Sequence, residues 1–158
     1  MDNILNIILI NTYTLSELRH RVSALKSFLE QHFFGGVKPT DLSDKDTAWI
    51  NSLPSTFLQS FNKDNLSTVF ESLQREITQL KTLTLYLTFD PDSQTDEQIG
   101  EYVKANFKER LILDIKYNPN LIAGAGLVWK GVYKDYSLRS KIDQRKTEIL
   151  ESFKKFLR

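Results

Sequence analysis

The chain has 158 residues, of which 41% are hydrophobic and 26% are charged. These proportions are typical of a globular protein and exclude a disordered chain or one dominated by membrane spans. With 21 basic and 20 acidic residues the net charge is only +1, so no overall field would attract nucleic acid or an anionic membrane surface. Cysteine is absent, which excludes disulfides and thiol chemistry and fits a reducing compartment.

The first ten residues are apolar, but Asp2 stands where a signal peptide carries positive charge, and Asn6 interrupts the run. A secretory signal is therefore not expected, and no stretch reaches the roughly 20 apolar residues that cross a bilayer. We interpret the run as a short helix, although a buried strand of this length would show the same pattern.

Helical periodicity dominates the first half of the chain. Apolar residues recur every three or four positions from Leu15 to Phe34, and the pair Gly35-Gly36 can end this helix in a left-handed conformation. Three further apolar groups follow residues suited to starting a helix, namely Ser43 or Asp44, Pro54, and Asp64 or Asn65. The pattern predicts a helical bundle over residues 1–80.

The period changes at Lys81. Apolar and polar residues alternate from Leu83 to Phe89, which predicts a strand with one buried face. Thr95 and Gln98 fit a capping box, and four residues would form the apolar face of the helix behind it: Ile99, Tyr102, Val103 and Phe107.

Two more strands are predicted after this helix, and the second of them leads into a tight turn. Leu111–Tyr117 is an apolar run closed by Asn118-Pro119-Asn120, and Ala125–Trp129 precedes a turn at Lys130-Gly131 and a short return through Val132-Tyr133. Ser137 can cap a long helix that continues to the C-terminus.

This order of elements predicts an α+β fold. An N-terminal helical bundle, residues 1–80, would precede a small β-α-β-β-α domain, residues 81–158, that ends in a long helix. That last helix would extend about 30 Å from Ser137, farther than a small sheet is wide. Its distal apolar residues must therefore pack back on the bundle or bind another protein.

No catalytic, cofactor or metal site is expected. His20 and His32 lie too far apart on one helix to share a metal, and Gly124-Ala125-Gly126 lacks the spacing of a nucleotide-binding loop. A binding function on the sheet is an alternative, because aromatic residues occur close to lysines and could stack single-stranded RNA. The residues concerned are Tyr86, Tyr117, Trp129, Tyr133 and Tyr136 with Lys116, Lys130 and Lys134. Packing within the sheet is the preferred interpretation of these aromatics.

The segment after the second strand carries a resemblance to a known family. Asn-Pro-Asn-Leu-Ile-Ala-Gly at 118–124, a hairpin with a Lys-Gly turn, and Lys-Asp-Tyr-Ser-Leu-Arg at 134–139 resemble the C-terminal signature of the delta subunit of F-type ATP synthases, called the oligomycin-sensitivity-conferring subunit in mitochondria. The matching positions are Pro119, Leu121, Ile122, Gly124, Asp135, Ser137 and Arg139. Ala123 and Tyr136 stand where the family has glycine, and both departures are tolerable if the local backbone keeps negative φ.

The resemblance implies a non-catalytic stator subunit that joins the catalytic head to the peripheral stalk during proton-driven ATP synthesis. It implies that the helical bundle binds alpha subunits of the head, and we assign this contact to Leu18, Val22, Trp49 and Phe57. It also implies that the last helix binds the b subunits, through Ile149, Phe153, Phe156 and Leu157. The bundle is shorter than the six-helix domain usual in the family.

The same resemblance implies a setting for the protein. It would be a monomer within the complex, without a cofactor, at the cytoplasmic face of a bacterial plasma membrane, and would meet the membrane only through its partners. An RNA-binding module and an unrelated protein–protein adaptor are the alternatives to this interpretation.

Overall fold

The computed structural model describes residues 2–35, 42–107 and 111–157. The predicted mixture of helices and strands is confirmed, with eight helices and a four-stranded mixed sheet among the described residues. The helices are α1 (Asp2–Leu9), α2 (Leu15–Phe34), α3 (Asp44–Ser52), α4 (Ser55–Gln59), α5 (Leu66–Gln79), α6 (Ser93–Asn106), α7 (Leu138–Gln144) and α8 (Lys146–Phe156). The strands are β1 (Lys81–Leu87), β2 (Leu111–Tyr117), β3 (Ala125–Trp129) and β4 (Val132–Asp135). The chain divides into two compact units, Met1–Lys81 and Thr82–Arg158.

Side-chain caps fix the starts of α2 and α3 in the first unit. Thr14 Oγ1 accepts the backbone N–H of Glu17 at the start of α2, and Gly35 ends this helix with φ 69°; Gly36, the second residue of the predicted stop, lies outside the described residues. Ser43 and Asp46 form a reciprocal capping box at the start of α3. These polar residues therefore set the helix limits, as expected for groups that satisfy free backbone donors.

The core of the first unit is apolar and draws on all five helices. The edge of the Phe57 ring meets Phe61, with centroids 5.3 Å apart, and Phe61 stacks on Phe70 at 6.0 Å. The large core side chains are Leu5, Ile8, Leu18, Leu25, Leu29, Ile50, Leu53, Phe57, Phe61, Leu66, Phe70, Leu73 and Ile77. This set is sufficient for a hydrophobic core that belongs to the first unit.

The second unit is built on the sheet, whose strand order is β2-β1-β3-β4. β1 and β3 are antiparallel, with Leu85 opposite Leu127, and β3 and β4 are antiparallel with Trp129 opposite Val132. Because the sheet is mixed, the remaining neighbours β1 and β2 are parallel, and α6 supplies the crossover that parallel strands require.

A small core lies between α6 and one face of this sheet. Leu83, Val103 and Leu113 are its buried members, and Ile99, Leu111, Ile115, Leu127 and Trp129 pack against them. Leu111, Leu113 and Ile115 lie on alternate positions of β2 and so share the face that meets this core, and Ile112 on the other face is also buried.

The hairpin between β3 and β4 has a two-residue turn. Lys130 has φ 51° and Gly131 has φ 80°, so both central residues are left-handed, as in a type I′ turn. This turn type matches the twist of the paired strands and fixes the register of Trp129 opposite Val132.

Two predictions around α6 are wrong. The cap is Asp92, whose Oδ1 accepts the N–H of Thr95 at 2.8 Å, so the helix begins before the predicted capping box at Thr95 and Gln98. An aspartate is at least as good a cap as threonine, and it comes first along the chain. Tyr102 is exposed, whereas its neighbour Val103 is in the core. The first strand also ends at Leu87, so that Phe89 lies outside it.

The predicted long C-terminal helix is also wrong, because the structure contains two helices. Ser137 caps α7 as expected, but Arg145, with φ −110° and ψ 13°, separates α7 from α8. No residue of either helix is buried. Among the described residues, no helix combines the length and the apolar character required to cross a membrane.

Candidate interaction surfaces

Several residues of the resemblance meet where the hairpin leads into α7, in a region here called the Ser137 corner and formed by residues 122–124 and 135–138. Ser137 is only 1% exposed, and its Oγ accepts the N–H of Ser140 at 3.3 Å. Its own N–H donates to Oδ1 of Asp135 at 2.8 Å. Hydrogen bonds from the side chain and backbone of Ser137 hold the pKa of Asp135 below its ordinary value.

Backbone hydrogen bonds connect the two parts of the corner. The N–H of Leu138 donates to the carbonyls of Ile122 and Ala123 at 2.9 and 3.0 Å. The N–H of Tyr136 donates to the carbonyl of Ala125 at 2.9 Å. The loop before β3 is therefore joined to the chain that enters α7 through main-chain groups.

The corner requires a glycine at 124. Gly124 has φ 87°, and a Cβ there would lie 2.5 Å from the carbonyl oxygen of Tyr136. Ala123 has φ 49°, so the negative φ that would make alanine tolerable here is not found at this residue. A left-handed alanine costs roughly 1–2 kcal/mol. The position where the resembling family has glycine is thus one whose backbone favours glycine.

The remaining motif residues lie outside the corner. Leu121 is half-buried and Pro119 is exposed in the loop that follows β2. Arg139 makes a 3.9 Å ion pair with Asp143, and because both side chains are largely exposed, this pair contributes little to stability. The structure therefore brings together Ile122, Gly124, Asp135 and Ser137, but not Pro119, Leu121 or Arg139.

The most exposed apolar surface in the second unit lies on α8, and we call it the tail stripe. It consists of Ile149, Leu150, Phe153, Phe156 and Leu157, so it contains all four residues predicted to bind a b subunit. Phe153 is 61% and Phe156 is 90% exposed. At about 100° per residue, these side chains cover a stripe about 120° wide on the helix and its C-terminal end. Polar residues cover the rest of α8, which is the pattern of a helix that lies against a partner.

A second candidate surface is the groove between α2 and α5 in the first unit, here called the α2–α5 groove. Its volume is about 580 Å³, and Val22, Phe70 and Ile77 are among the residues that line it. Arg19, Lys26 and Glu71 also line it and supply charges of both signs. Phe70 and Ile77 are core side chains, so the half-buried Val22 is the apolar residue of the groove that an amphipathic helix could reach.

The residues predicted to bind the catalytic head separate into two groups. Leu18 is 0% and Phe57 is 5% exposed, so both are core side chains and cannot form a binding surface. Val22 lines the α2–α5 groove. Trp49 is half-buried beneath the guanidinium of Arg21, which lies 5.1 Å from the ring centroid. Periodicity identified the apolar face of α2 but could not show which members the core would cover.

Both histidines contact other side chains of the first unit. Nε2 of His20 lies 2.8 Å from Oδ1 of Asp46, which connects α2 to the cap of α3. Burial acts to raise the pKa of Asp46, but hydrogen bonds from Ser43 and the contact with His20 lower it overall. His32 lies beside the rings of Phe28 and Phe33. Within the described ranges, no three His, Cys, Asp or Glu side chains are grouped in a way that could hold a metal ion.

The sheet aromatics do not share one surface, which weakens the RNA-binding alternative. Tyr86 and Tyr133 meet edge to face at 6.4 Å. Trp129 instead packs against the core on the α6 side and lies 6.1 Å from Phe107. A stacking platform requires several accessible rings along one path, and these rings are divided between the two faces.

The charges near Tyr86 also weaken the RNA-binding alternative. Lys116 forms a 2.9 Å ion pair with Asp114, and this carboxylate, with a smaller contribution from Tyr86, holds the pKa of Lys116 above its ordinary value. The positive charge beside the ring is therefore already compensated and offers little to a phosphate.

Comparison with protein-family models and with curated proteins finds no match to this chain. The function of the chain is therefore inferred from its own residues and surfaces. Sequence reasoning did not identify the α2–α5 groove, because its two walls lie about 50 residues apart in the chain and no local pattern pairs them. The contact between His20 and Asp46 is likewise long-range.

Proposed function

We propose that the chain is a non-catalytic stator subunit of an F-type ATP synthase, and that it joins the catalytic head to b-type subunits of the peripheral stalk. The observation that carries this proposal is the tail stripe. The stripe lies on α8, which is connected through α7 to the Ser137 corner, where Gly124, Asp135 and Ser137 of the resembling motif meet. Its Phe156 side chain is 90% exposed. An exposed apolar stripe of this kind is typical of a protein-binding helix.

The free energies of burial and association indicate that stable binding requires a second contact besides the tail stripe. Each of the five side chains of the tail stripe contributes roughly 1.5–3 kcal/mol when fully buried, and part of this gain is offset by an association cost of about 4–15 kcal/mol. The stripe alone therefore gives a weak complex. A stator must stay bound at both ends, so a second surface has to contribute.

The α2–α5 groove is the proposed second surface. Its mixed charges around the half-buried Val22 suit an amphipathic helix, and we assign it to an N-terminal segment of an alpha subunit, with Val22 at the contact. This assignment keeps Val22 from the predicted set and replaces Leu18 and Phe57, which belong to the core. In this arrangement the protein is a monomer in the complex, peripheral to the cytoplasmic face of a bacterial membrane, with the membrane reached only through its partners.

The test is co-purification with the soluble cytoplasmic part of a b-type subunit from the same organism. Phe153→Glu and Phe156→Glu each place a charge in the tail stripe and are expected to weaken binding at least tenfold. Because both side chains are exposed, the free energy of unfolding should change by no more than about 0.5 kcal/mol.

Thr147→Glu is the matched control, since it adds the same charge to an exposed position of α8 outside the stripe. It should bind as the unmodified chain does. Equal binding by all three variants would overturn the assignment of the tail stripe, and the absence of any binding by the unmodified chain would overturn the stator proposal.

A further inference from the structure

The apolar residues of α7 and α8 follow one helical spacing, which the break at Arg145 divides into two parts. Leu138, Ile142, Ile149, Phe153 and Phe156 are separated by four, seven, four and three residues. This spacing places all five side chains on one face only if a single helix continues through Arg145. Leu138 and Ile142 are also about half exposed, so both pieces of the pattern are accessible.

The break at Arg145 has no local cause in the sequence. Gln144, Arg145 and Lys146 are all good helix formers, and neither glycine nor proline is present among them. Arg145 provides no side-chain cap for α8. Its N–H donates to the carbonyl of Ile142 at 3.1 Å, a bond to the third preceding residue, which is a tighter turn than the α-helix makes.

No buried contact holds the bend in place. Neither α7 nor α8, both fully described, contains a buried residue. A bend without a breaker, a cap or a core contact costs little to remove. Removing it would also provide helical partners for N–H groups at the uncapped start of α8.

We propose that Arg145 is a hinge, and that α7 and α8 join into one helix over residues 138–156 when a helical partner covers the combined stripe. The identity of that partner as a b-type subunit rests on the proposed function. Apolar residues spaced by four, seven, four and three positions suit a helix as the partner. Joining the helices adds Leu138 and Ile142 to the tail stripe and brings the apolar contact closer to the roughly 800 Å² per partner of a stable interface.

The hinge can be measured on the full chain without any partner. The chain contains no cysteine, so Lys141→Cys with Lys155→Cys creates a unique pair of spin-label sites. Both are exposed and lie on the polar side of the helices. In a continuous helix their Cα atoms are about 21 Å apart, and in the bent form they are closer. Pulsed electron paramagnetic resonance should show both distances.

Substitutions at Arg145 provide a matched pair. Arg145→Ala and Arg145→Gly both remove the guanidinium, but alanine favours a helix interior and glycine opposes it. The ratio of long to short distance should differ about fivefold between these two variants, with alanine favouring the long one. One distance that is identical in all three chains would overturn the hinge.

Adding the soluble part of the b-type subunit then separates the hinge from the proposed function. Growth of the population near 21 Å, with tighter binding by the alanine variant than by the glycine variant, supports both. Binding that leaves the short distance unchanged overturns the hinge and retains the stator proposal. If no binding occurs, the stator proposal fails, and the distances in the free chain alone decide whether Arg145 is a hinge.

Discussion

The Ser137 corner and the two helices that follow it are adjacent in the chain but are stabilised in opposite ways. The corner contains a side chain that is almost fully buried and several main-chain hydrogen bonds between segments. The helices contain no buried residue. The corner therefore fixes where α7 begins, whereas no buried side chain of α8 fixes the course of that helix.

The two regions therefore differ in what determines the positions of their residues. Positions in the corner are determined by steric limits and by hydrogen bonds that the chain satisfies internally. Positions in α8 satisfy their own backbone but leave a large apolar surface in water, which a partner can cover. Substitutions in the two regions should consequently differ in what they change, stability in the first and binding in the second.

The largest effect on stability is expected for Gly124→Ala. The new methyl group would lie 2.5 Å from the Tyr136 carbonyl oxygen at a residue with φ 87°, so strain and overlap should together cost about 3 kcal/mol. Urea unfolding measures the change. Gly131→Ala is the control, because φ is 80° there but nothing lies within 4 Å, and it should cost only about 1 kcal/mol. Equal losses would show that the close contact with Tyr136 is unimportant.

A smaller loss is expected for Ser137→Ala. This substitution removes the cap of α7 at a buried position, which should cost about 1–2 kcal/mol. Ser140→Ala, one turn later, removes a hydroxyl with only a 3.4 Å contact to Gln144 and should change the free energy of unfolding by less than about 0.5 kcal/mol. If the two variants are equally stable, the cap does not support the corner.

Ala123→Gly should stabilise the protein. Glycine removes the strain at φ 49° but loses more conformational entropy on folding, so the net gain should be about 0.5–1 kcal/mol. Ala125→Gly makes the same change in β3, where no such strain exists, and should cost a similar amount. Thermal unfolding of the two variants measures both signs, and a loss at both positions would contradict the strain assigned to Ala123.

The smallest effect concerns acid stability. Because hydrogen bonds from Ser137 lower the pKa of Asp135 in the folded state below its ordinary value of 3.8, folding favours the ionised carboxylate. Its contribution is fully present above that value and is lost as the pH falls through the lower folded pKa. Asp135→Asn should therefore reduce stability at neutral pH and flatten the decline in acid, as measured by urea midpoints between pH 7 and 3. Curves that remain parallel would exclude this role for Asp135.

The regular elements were predictable because local patterns determine them. The limits of α2 agree with the sequence, since Thr14 caps one end and Gly35 ends the other. The limits of β2 agree because its apolar run and the Asn118-Pro119 turn are encoded next to each other. The Lys130-Gly131 turn was recognised for the same reason, that glycine suits a left-handed position.

The features that were not predicted from the sequence depend on contacts between residues that are distant in the chain. Leu18 and Phe57 carry the same periodic signal as a surface anchor would, and only the packing of other helices places them in the core. The break at Arg145 lies among good helix formers, so propensity predicts the opposite. The left-handed conformation of Ala123 follows from its hydrogen bond with Leu138, a partner 15 residues later in the chain.

The main-chain bonds at the corner also have a mechanical consequence. A pull that arrives through α7 reaches Leu138 and Tyr136, whose N–H groups are bonded to the carbonyls of Ile122, Ala123 and Ala125. These bonds lie within three residues of one another, so they share a load in parallel instead of opening one at a time. Because the load passes through peptide groups, the side chains of Ile122 and Leu138 can change without weakening the connection that transmits tension into the sheet.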